Sequence, residues 1–473
     1  MDHNEFRRLG HQLVDWIADY RARLGELPVM SPAEPGAIRA RFPVEPPVEG
    51  GRLAEAVARL DELILPGITH WNHPAFFAYF PSNTSLASVL GDLACAGLGA
   101  QGMSWQTSPA ATEVEQVVMD WLRRMVGLPE TFQGVVQDSA STSTLTALLC
   151  ARERTAGFAQ EGAGLQDGGA PMTVYASAQA HSSVEKAALL AGFGRAHVRH
   201  VGVDASFALR PELLEAAIAE DLAAGRRPCA VVACTGTTAT TALDPIAAVA
   251  EIAERHRLWL HVDAALAGTA MILPECRWMW AGVERADSVV WNPHKWMGIG
   301  FDFSAFHVRD PGHLGRVMST NPSYLRTAQD GRVVNFRDWG IPLGRRFRAL
   351  KAWFHLVDEG VLATQARIRR DLENARWLAE EVDRADGWER LAPVPLQTVC
   401  LRHVPSGERD EGRLGAHNLE IAGRVNRSGR AYVTPSLLEG KQMIRVSIGA
   451  TATERRDVEG VWAALGAAAD ARA

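Results

Sequence analysis

Lysine is scarce in this sequence. Only four of its 49 basic residues are lysine, and the remaining 45 are arginine. Arginine serves where a positive charge alone is needed, so each remaining lysine is a candidate for a role that needs a primary amine. These candidates are Lys186, Lys295, Lys351 and Lys441.

Long apolar runs are absent as well. No run approaches the roughly 20 residues that span a bilayer, and charged residues interrupt the first 20 positions, so we expect neither a membrane span nor a signal peptide. A net charge of −6 gives no indication of a nucleic-acid or membrane partner. The helical spacing of apolar residues near the start favours a helix on a core or partner subunit over a membrane-surface helix.

The six cysteines form no CxxC pair, and none stands beside histidine at zinc-ligand spacing. We therefore expect no metal site and interpret the cysteines as reduced core thiols of a cytoplasmic protein. With 473 residues, 47% of them apolar and 22% charged, the chain has an ordinary globular composition and room for a large core plus a second domain.

The pattern along the chain predicts an α/β protein in three parts. Residues 1–80 are helical and interrupted by proline, residues 81–350 alternate short apolar runs with helical patterns, and residues 351–473 form a smaller α+β domain. Short continuous apolar runs separated by helices indicate a buried, mostly parallel sheet. The runs are GVVQ at 134–137, MTVYAS at 172–177, CAVVAC at 229–234, LWLHVD at 258–263 and DSVVW at 287–291.

Lys295 has the position that amine chemistry requires. It follows the apolar run DSVVW in a loop with Asn292 and His294, whereas Lys186 and Lys351 lie in predicted helices and Lys441 lies in a polar turn. Open α/β sheets bind ligands beyond the carboxyl ends of their strands, and partial burial there lowers the pKa of a lysine. The alternative is an ordinary surface lysine.

Two further side chains are predicted at the same edge. Asp263 ends the run LWLHVD, about one strand–helix–strand crossover before Lys295, and a carboxylate there needs a partner such as a protonated pyridine nitrogen. The alternative is an N-cap for the following AALAG segment. His181 precedes a predicted helix, where Ser182 and Glu185 have capping-box spacing. It could stack on a planar ring, or be an ordinary loop histidine.

Two loops rich in small hydroxyl residues complete the set. The segment 137–152 runs from a strand into a helix through several serines and threonines, and a helix N-terminus of this kind suits a phosphate or is simply capped by them. The segment 234–245, which includes Thr238, is a weaker second candidate. An amine, a carboxylate, an imidazole and a phosphate cradle together match the requirements of pyridoxal 5'-phosphate.

These residues resemble the group II pyridoxal-phosphate decarboxylases, and in particular the aromatic-L-amino-acid decarboxylases, including their bacterial members. The resemblance spans about residues 5 to 460, and its most specific motif is NPHKW at 292–296. Supporting segments are WNHPAFFAYFPSN at 71–83, AHSSVEKA at 180–187, HVDAALAG at 261–268 and IPLGRRFRALK at 341–351. It implies fold type I and an obligate homodimer with active sites at the subunit interface.

The resemblance also implies roles for individual residues. Lys295 would bind the cofactor covalently, Asp263 would pair with the pyridine nitrogen and His181 would stack on the ring. The loop 319–340 would be mobile and would carry Tyr324 as proton donor. The other implied cofactor contacts are Ala140, Ser141, Thr238, Ala265, Asn292 and His294.

An aromatic substrate pocket is implied too, with Trp71, Tyr79, Phe80 and Pro81 around the ring and Ser82 toward the substrate carboxylate. Gln101 and Met103 stand where animal relatives carry more apolar residues, and Asp138 stands beside the phosphate cradle where many relatives have glycine. Gly344 is small enough to leave room for an indole. The expected substrates are therefore dopa, 5-hydroxytryptophan, tryptophan, tyrosine or phenylalanine.

Three alternatives remain open from the sequence. Some relatives release an aldehyde by coupling decarboxylation to oxidative deamination, but in them the loop tyrosine or the stacking histidine is replaced. An acidic amino-acid decarboxylase is disfavoured by the aromatic segment 71–81. A non-catalytic relative of the fold is disfavoured by the presence of Lys295 and Asp263.

Overall fold

The structure is a computed structural model that describes residues 1–166, 168–320, 322–325 and 327–471, with the side chain of Tyr324 outside the description. The chain divides into two compact units. One comprises Met1–Pro81, Arg376–Leu391 and Cys400–Ala473, and the other comprises Ser82–Ala375 and Ala392–Val399. The three-part division predicted from the sequence stays a prediction.

The larger unit is built on a seven-stranded sheet. Its strands are β1 (Gln133–Gln137), β2 (Met172–Ser177), β3 (Val198–Val201), β4 (Arg227–Cys234), β5 (Trp259–Asp263), β6 (Ser288–Trp291) and β7 (Ser304–Val308). Their order is β1-β7-β6-β5-β4-β2-β3. The neighbours from β6 through β3 pair in parallel, while β7 is antiparallel to both β1 and β6.

The second sheet has four strands in the order β10-β11-β9-β8. These strands are β8 (Trp388–Arg390), β9 (Thr398–His403), β10 (Thr434–Leu438) and β11 (Lys441–Ser447). The pairs β10–β11 and β8–β9 are antiparallel. The fold is therefore the predicted type I α/β architecture with a smaller sheet toward the end of the chain.

The helices of the described chain begin and end as follows: α1 His3–Ala22, α2 Leu53–Ala58, α3 Leu60–Leu63, α4 Leu86–Leu98, α5 Pro109–Val126, α6 Ala140–Ala156, α7 Ser182–Leu190, α8 Pro211–Ala223, α9 Ile246–His256, α10 Pro311–Met318, α11 Ala349–Arg384, α12 Glu411–Arg427 and α13 Arg455–Asp470. Gly360, with φ 71°, interrupts α11.

Burial explains why the central strands form. All residues of β5 and β6 are buried, as expected for parallel strands covered on both faces. Because β7 is antiparallel to both β1 and β6, β1 runs in the same direction as β6. The C-terminal ends of β1, β4, β5 and β6 consequently share one edge, where the chemistry-bearing residues collect.

The described residues contain no helix long and apolar enough to cross a membrane. Within the same ranges, no group of three or more histidine, cysteine or carboxylate side chains could hold a metal ion. All six cysteines are buried free thiols.

Helices α4 and α11 approach each other closely at Gly91. A Cβ at this position would lie 2.4 Å from the Cα of Lys351, so a larger side chain would force the two backbones apart. We expect Gly91→Ala to destabilise the fold by roughly 1–3 kcal/mol, measured by chemical denaturation. The matched control is Gly97→Ala, in the same helix with open space around its Cβ, which should be neutral or stabilising. Equal stability of the two variants would contradict the close approach.

Candidate active site

Lys295 lies in a single π-helical turn, Pro293–Met297, that directly follows β6 and ends at Gly298 with φ 103°. Its backbone N–H donates to the carbonyl of Asn292 at 2.9 Å. Its own carbonyl accepts from the Nδ2 of the buried Asn83 at 3.0 Å. The amine-bearing residue is thus half-buried at the C-terminal edge of the sheet.

Asp263 is the last residue of β5 and is buried. It pairs with Val290 of β6, which places it beside the strand that leads to Lys295. Its Oδ1 accepts from the N–H of Ala265 at 3.0 Å. The next helical turn begins at Ala267 with Leu266 as its N-cap, so the interpretation of Asp263 as a helix cap is wrong.

His181 is the N-cap of α7, and its Nδ1 accepts from the N–H of Ser183 at 3.1 Å. The predicted capping box starting at Ser182 is therefore wrong, because Ser182 is already helical and the imidazole caps the helix itself. With Nδ1 as acceptor, the neutral ring carries its hydrogen on Nε2.

The pKa of His181 reports its surroundings. Desolvation lowers this pKa most, the carboxylate of Asp263 opposes that effect and the cation of Lys295 adds to it. The His181 residue is nevertheless exposed. The structure thus brings an imidazole, a carboxylate and an amine within electrostatic reach of one another.

The first turn of α6 follows β1 at the same edge. Ser139 caps the helix: its Oγ accepts from Thr142 and its carbonyl accepts from Ser143. The N–H groups of Ala140 and Ser141 come first in the helix, where no intrahelical acceptor exists. Asp138 lies beside them and accepts from the Ser139 hydroxyl at 3.2 Å.

The side chains that flank Lys295 are held in fixed orientations. Ser304 donates to Oδ1 of the buried Asn292, which leaves the Nδ2 hydrogens of this amide for another acceptor. His294 accepts from the N–H of Phe303 at 3.0 Å. Burial lowers the pKa of His294 to about 3, so the imidazole is neutral.

The loop after β4 contains Thr238, which is exposed. The N–H of Thr235 donates to the carbonyl of Asp263 at 3.0 Å, so this loop begins beside Asp263. Sequence reasoning missed Asp244, whose two carboxylate oxygens accept from Leu209 and Cys234. Burial raises the pKa of Asp244 to about 6. The sequence signal that could have identified Asp244 is its position directly before Pro245, at the end of a loop rich in glycine and threonine.

Gln101 and Gly344 lie together. The Oε1 of Gln101 accepts from the N–H of Arg345 at 2.8 Å, and a Cβ on Gly344 would lie 3.1 Å from Gln101 Nε2. Met103 accepts from the N–H of Arg337 through its carbonyl. Arg345, which the sequence reasoning also missed, pairs with buried Glu115 and donates to Val136 of β1.

The aromatic segment before Ser82 belongs to the other compact unit. Trp71 and Tyr79 stack with ring centroids 5.7 Å apart, and the Tyr79 backbone has φ 50°. The guanidinium of Arg445 lies 4.4 Å from the ring of Phe80, while Pro81 is buried. The Tyr324 side chain lies outside the described residues.

Comparison with known proteins identifies the family. The pyridoxal-dependent decarboxylase conserved domain matches residues 35–404. This chain belongs to that family. The cofactor of the decarboxylase is pyridoxal phosphate.

Relatives of this decarboxylase are similar along nearly their whole length. A phenylacetaldehyde synthase of Arabidopsis thaliana is 40% identical, with 98% of this chain and 95% of the relative covered. A tryptophan decarboxylase of Camptotheca acuminata is 38% identical, with 100% and 96% covered. The crystal structure of Oryza sativa TDC with PLP and tryptamine superposes with a TM-score of 0.95 at 34% identity, covering 99% of this chain and 98% of that one.

Proposed function

We propose that this decarboxylase removes the α-carboxylate of aromatic L-amino acids, giving an aryl-ethylamine and carbon dioxide. The observation that carries the proposal is the grouping of His181, Asp263 and Lys295 at one sheet edge. The relatives are named for aromatic substrates or products, which supports aromatic amino acids as the substrate class. The finer assignment to a bacterial type of aromatic-L-amino-acid decarboxylase rests on the motifs alone.

The residues at this edge fit pyridoxal phosphate. Lys295 would bind it covalently through Nζ, Asp263 would accept a hydrogen bond from its ring nitrogen, and the imidazole of His181 would pack on the ring. The free N–H groups of Ala140 and Ser141 together with the Nδ2 of Asn292 suit a phosphate. The remaining proposed contacts are Thr238, Ala265 and His294.

The proposed reaction replaces the carboxylate on the substrate α-carbon with a hydrogen. Pyridoxal phosphate, when bound, supplies a conjugated ring that accepts the electron pair left behind by departing carbon dioxide. The Asp263 carboxylate would keep the ring nitrogen protonated, which would strengthen the ring as an electron acceptor. The Tyr324 hydroxyl then gives a proton to the α-carbon. Closure of the loop 319–340 would exclude water during both steps.

We propose that the substrate ring is bound by the aromatic segment Trp71, Tyr79, Phe80 and Pro81, with Ser82 toward the carboxylate. The other pocket residues of this proposal are Gln101, Met103 and Gly344. The contact between Gln101 and Gly344 supports their acting as one surface, because a side chain at 344 would displace the amide.

The experiment is a panel of aromatic and acidic L-amino acids supplied with pyridoxal phosphate. We expect equimolar amine and carbon dioxide from one or more aromatic substrates and no turnover of glutamate, measured by chromatography and gas release. Turnover of the acidic substrates alone would refute the proposed substrate class, and no product from any member would refute the activity.

A second candidate is an aromatic acetaldehyde synthase, favoured by the 40% identity to the Arabidopsis phenylacetaldehyde synthase. The presence of both Tyr324 and His181 favours simple decarboxylation instead. Aldehyde and ammonia in the same assay would select the second candidate, since decarboxylation alone leaves the nitrogen on the product.

We further propose a cytoplasmic homodimer. Helix α4 exposes the leucines Leu86, Leu90 and Leu93, each about half accessible and spaced along one helical face. Six buried free thiols suit a reducing compartment. Light scattering is expected to give twice the chain mass of 51.4 kDa, and a mass of one chain would refute the dimer.

A further inference from the structure

The turn that carries Lys295 ends in three successive carbonyls, those of Lys295, Trp296 and Met297. Asn83 donates to the first at 3.0 Å. The guanidinium of Arg367 donates to the other two, through Nη1 at 2.7 Å and Nη2 at 2.5 Å. Side chains from two distant parts of the sequence therefore cap the turn.

Arg367 is well fixed for this role. It is buried on α11, and its third donor, Nε, faces Glu359 at 3.3 Å. A guanidinium has a rigid planar fork, so two of its N–H groups can fix two neighbouring carbonyls at once. Lysine, with a single ammonium group, cannot reproduce that geometry.

A second contact fastens the same turn to the same helix. The indole Nε1 of Trp296 donates to Oδ2 of Asp371 at 2.8 Å, and both side chains are fully buried. Arg370 donates to the other oxygen of this carboxylate. Helix α11 thus holds the residue after Lys295 through both its backbone and its side chain.

A π-helical turn needs such external support. The π-helix is rare, and its single turns are frequently found at functional sites. The Pro293–Met297 turn sets the direction of the Cα–Cβ bond of Lys295. Without the caps on its last carbonyls, the turn can relax and redirect the amine.

We propose that Arg367 is a positioning residue, which holds the π-helical turn so that the amine of Lys295 points at the cofactor. This proposal rests on the proposed function only in assigning the cofactor to Lys295. Arg367 touches neither substrate nor cofactor in it, and it acts through the carbonyls of Trp296 and Met297.

The test compares Arg367→Met, which keeps an apolar stem, with Arg367→Lys, which keeps the charge. Arg369→Met is the matched control, because Arg369 lies on the same helix in an exposed ion pair with Glu275. Two quantities are measured on the full chain: kcat and KM of the holoenzyme with an aromatic substrate, and acetylation of each lysine before pyridoxal phosphate is added. Peptide mass spectrometry resolves the four lysines, and Lys186 and Lys441 serve as internal references.

We expect Arg367→Met to lower kcat about 100-fold, the cost of misplacing a reacting group by about 1 Å, with KM changed by less than about threefold. Acetylation of Lys295 should rise at least about threefold as the turn loosens, while that of Lys186 and Lys441 stays constant. The kcat and the Lys295 acetylation of Arg367→Lys should lie between those of wild type and Arg367→Met. If Arg367→Met does not fold, Arg367→Lys provides the test of the positioning role.

Wild-type kcat together with wild-type acetylation of Lys295 in an Arg367 variant would overturn the proposal. Equal acceleration at Lys295 and at the buried Lys351 would overturn it too, since that indicates general unfolding. If the wild type has no decarboxylase activity, the proposed function fails by itself. Selective acceleration at Lys295 would then still support the positioning role.

Discussion

Replacing Lys295 with alanine is expected to reduce decarboxylation by at least about 1,000-fold, because the variant loses the amine that binds the cofactor. The fold should survive, since Lys295 is only half-buried and its backbone contacts with Asn83 and Asn292 do not use the side chain. Initial rates of amine release, with near-ultraviolet absorbance to follow bound pyridoxal phosphate, provide the measurement.

The lysine-poor sequence supplies clean controls for this experiment. Lys186 and Lys441 are exposed, so Lys186→Ala and Lys441→Ala should retain wild-type rates. Lys351 is unsuitable as a control because it is buried and pairs with Asp92 at 3.2 Å. Wild-type activity in Lys295→Ala would show that the cofactor amine has been assigned to the wrong residue.

The second large effect is a loss of stability in mild acid. Burial lowers the pKa of His261 and of His307 to about 4, and that of His294 to about 3. Their ordinary value is about 6.5, so the unfolded chain takes up protons there more readily than the folded chain does. The stability that these neutral rings contribute is fully present above pH 6.5 and is lost as the pH falls toward 4.

Each such histidine contributes a slope of about 1.4 kcal/mol per pH unit across that window. Asp244 acts in the opposite sense, because its raised pKa of about 6 makes protonation favour the folded chain. Burial raises the pKa of the carboxyl of Asp371 as well. Because the three histidines outnumber these two carboxylates, we expect the free energy of unfolding to decrease from pH 6.5 to 4.

His307 offers the cleanest single test. It is fully buried on β7, where its Nε2 contacts the carbonyl oxygen of Met119 at 3.4 Å. His307→Gln should flatten the pH dependence of urea unfolding by about 1.4 kcal/mol per pH unit. The control, exposed His11→Gln, should match wild type. An unchanged slope in His307→Gln would contradict the assigned titration.

Strand positions in the larger unit were predictable because a strand that is buried on both faces is a short continuous run of apolar residues. The runs containing β1, β2, β4, β5 and β6 were located within two residues of their observed bounds. Strands β3 and β7 were missed. VRHV in β3 is interrupted by polar residues at the sheet edge, and only two of the five residues in β7, Phe306 and Val308, are large and apolar.

The site was predictable where chemistry coincides with a strand end, as at Asp263 and Lys295. Its supporting contacts were not. Arg367 and Asp371 lie in a helix rich in charged residues, where nothing in the pattern separates a buried arginine from its exposed neighbour Arg369. The capping box at Ser182 failed for a related reason: hydroxyl spacing cannot reveal that an imidazole occupies the cap.

The pairing of β1 with β7 has a consequence for the order of folding. Gln137 pairs with Ser304, and closing a loop of about 170 residues is an entropically costly step that slows folding. The first turn of α6 follows β1 and the lysine turn precedes β7, so the two ends of the cofactor site meet only after this closure. In refolding, cofactor absorbance should appear after most of the helical circular dichroism. We therefore expect pyridoxal phosphate to bind a sheet that has already closed, rather than to guide its closure.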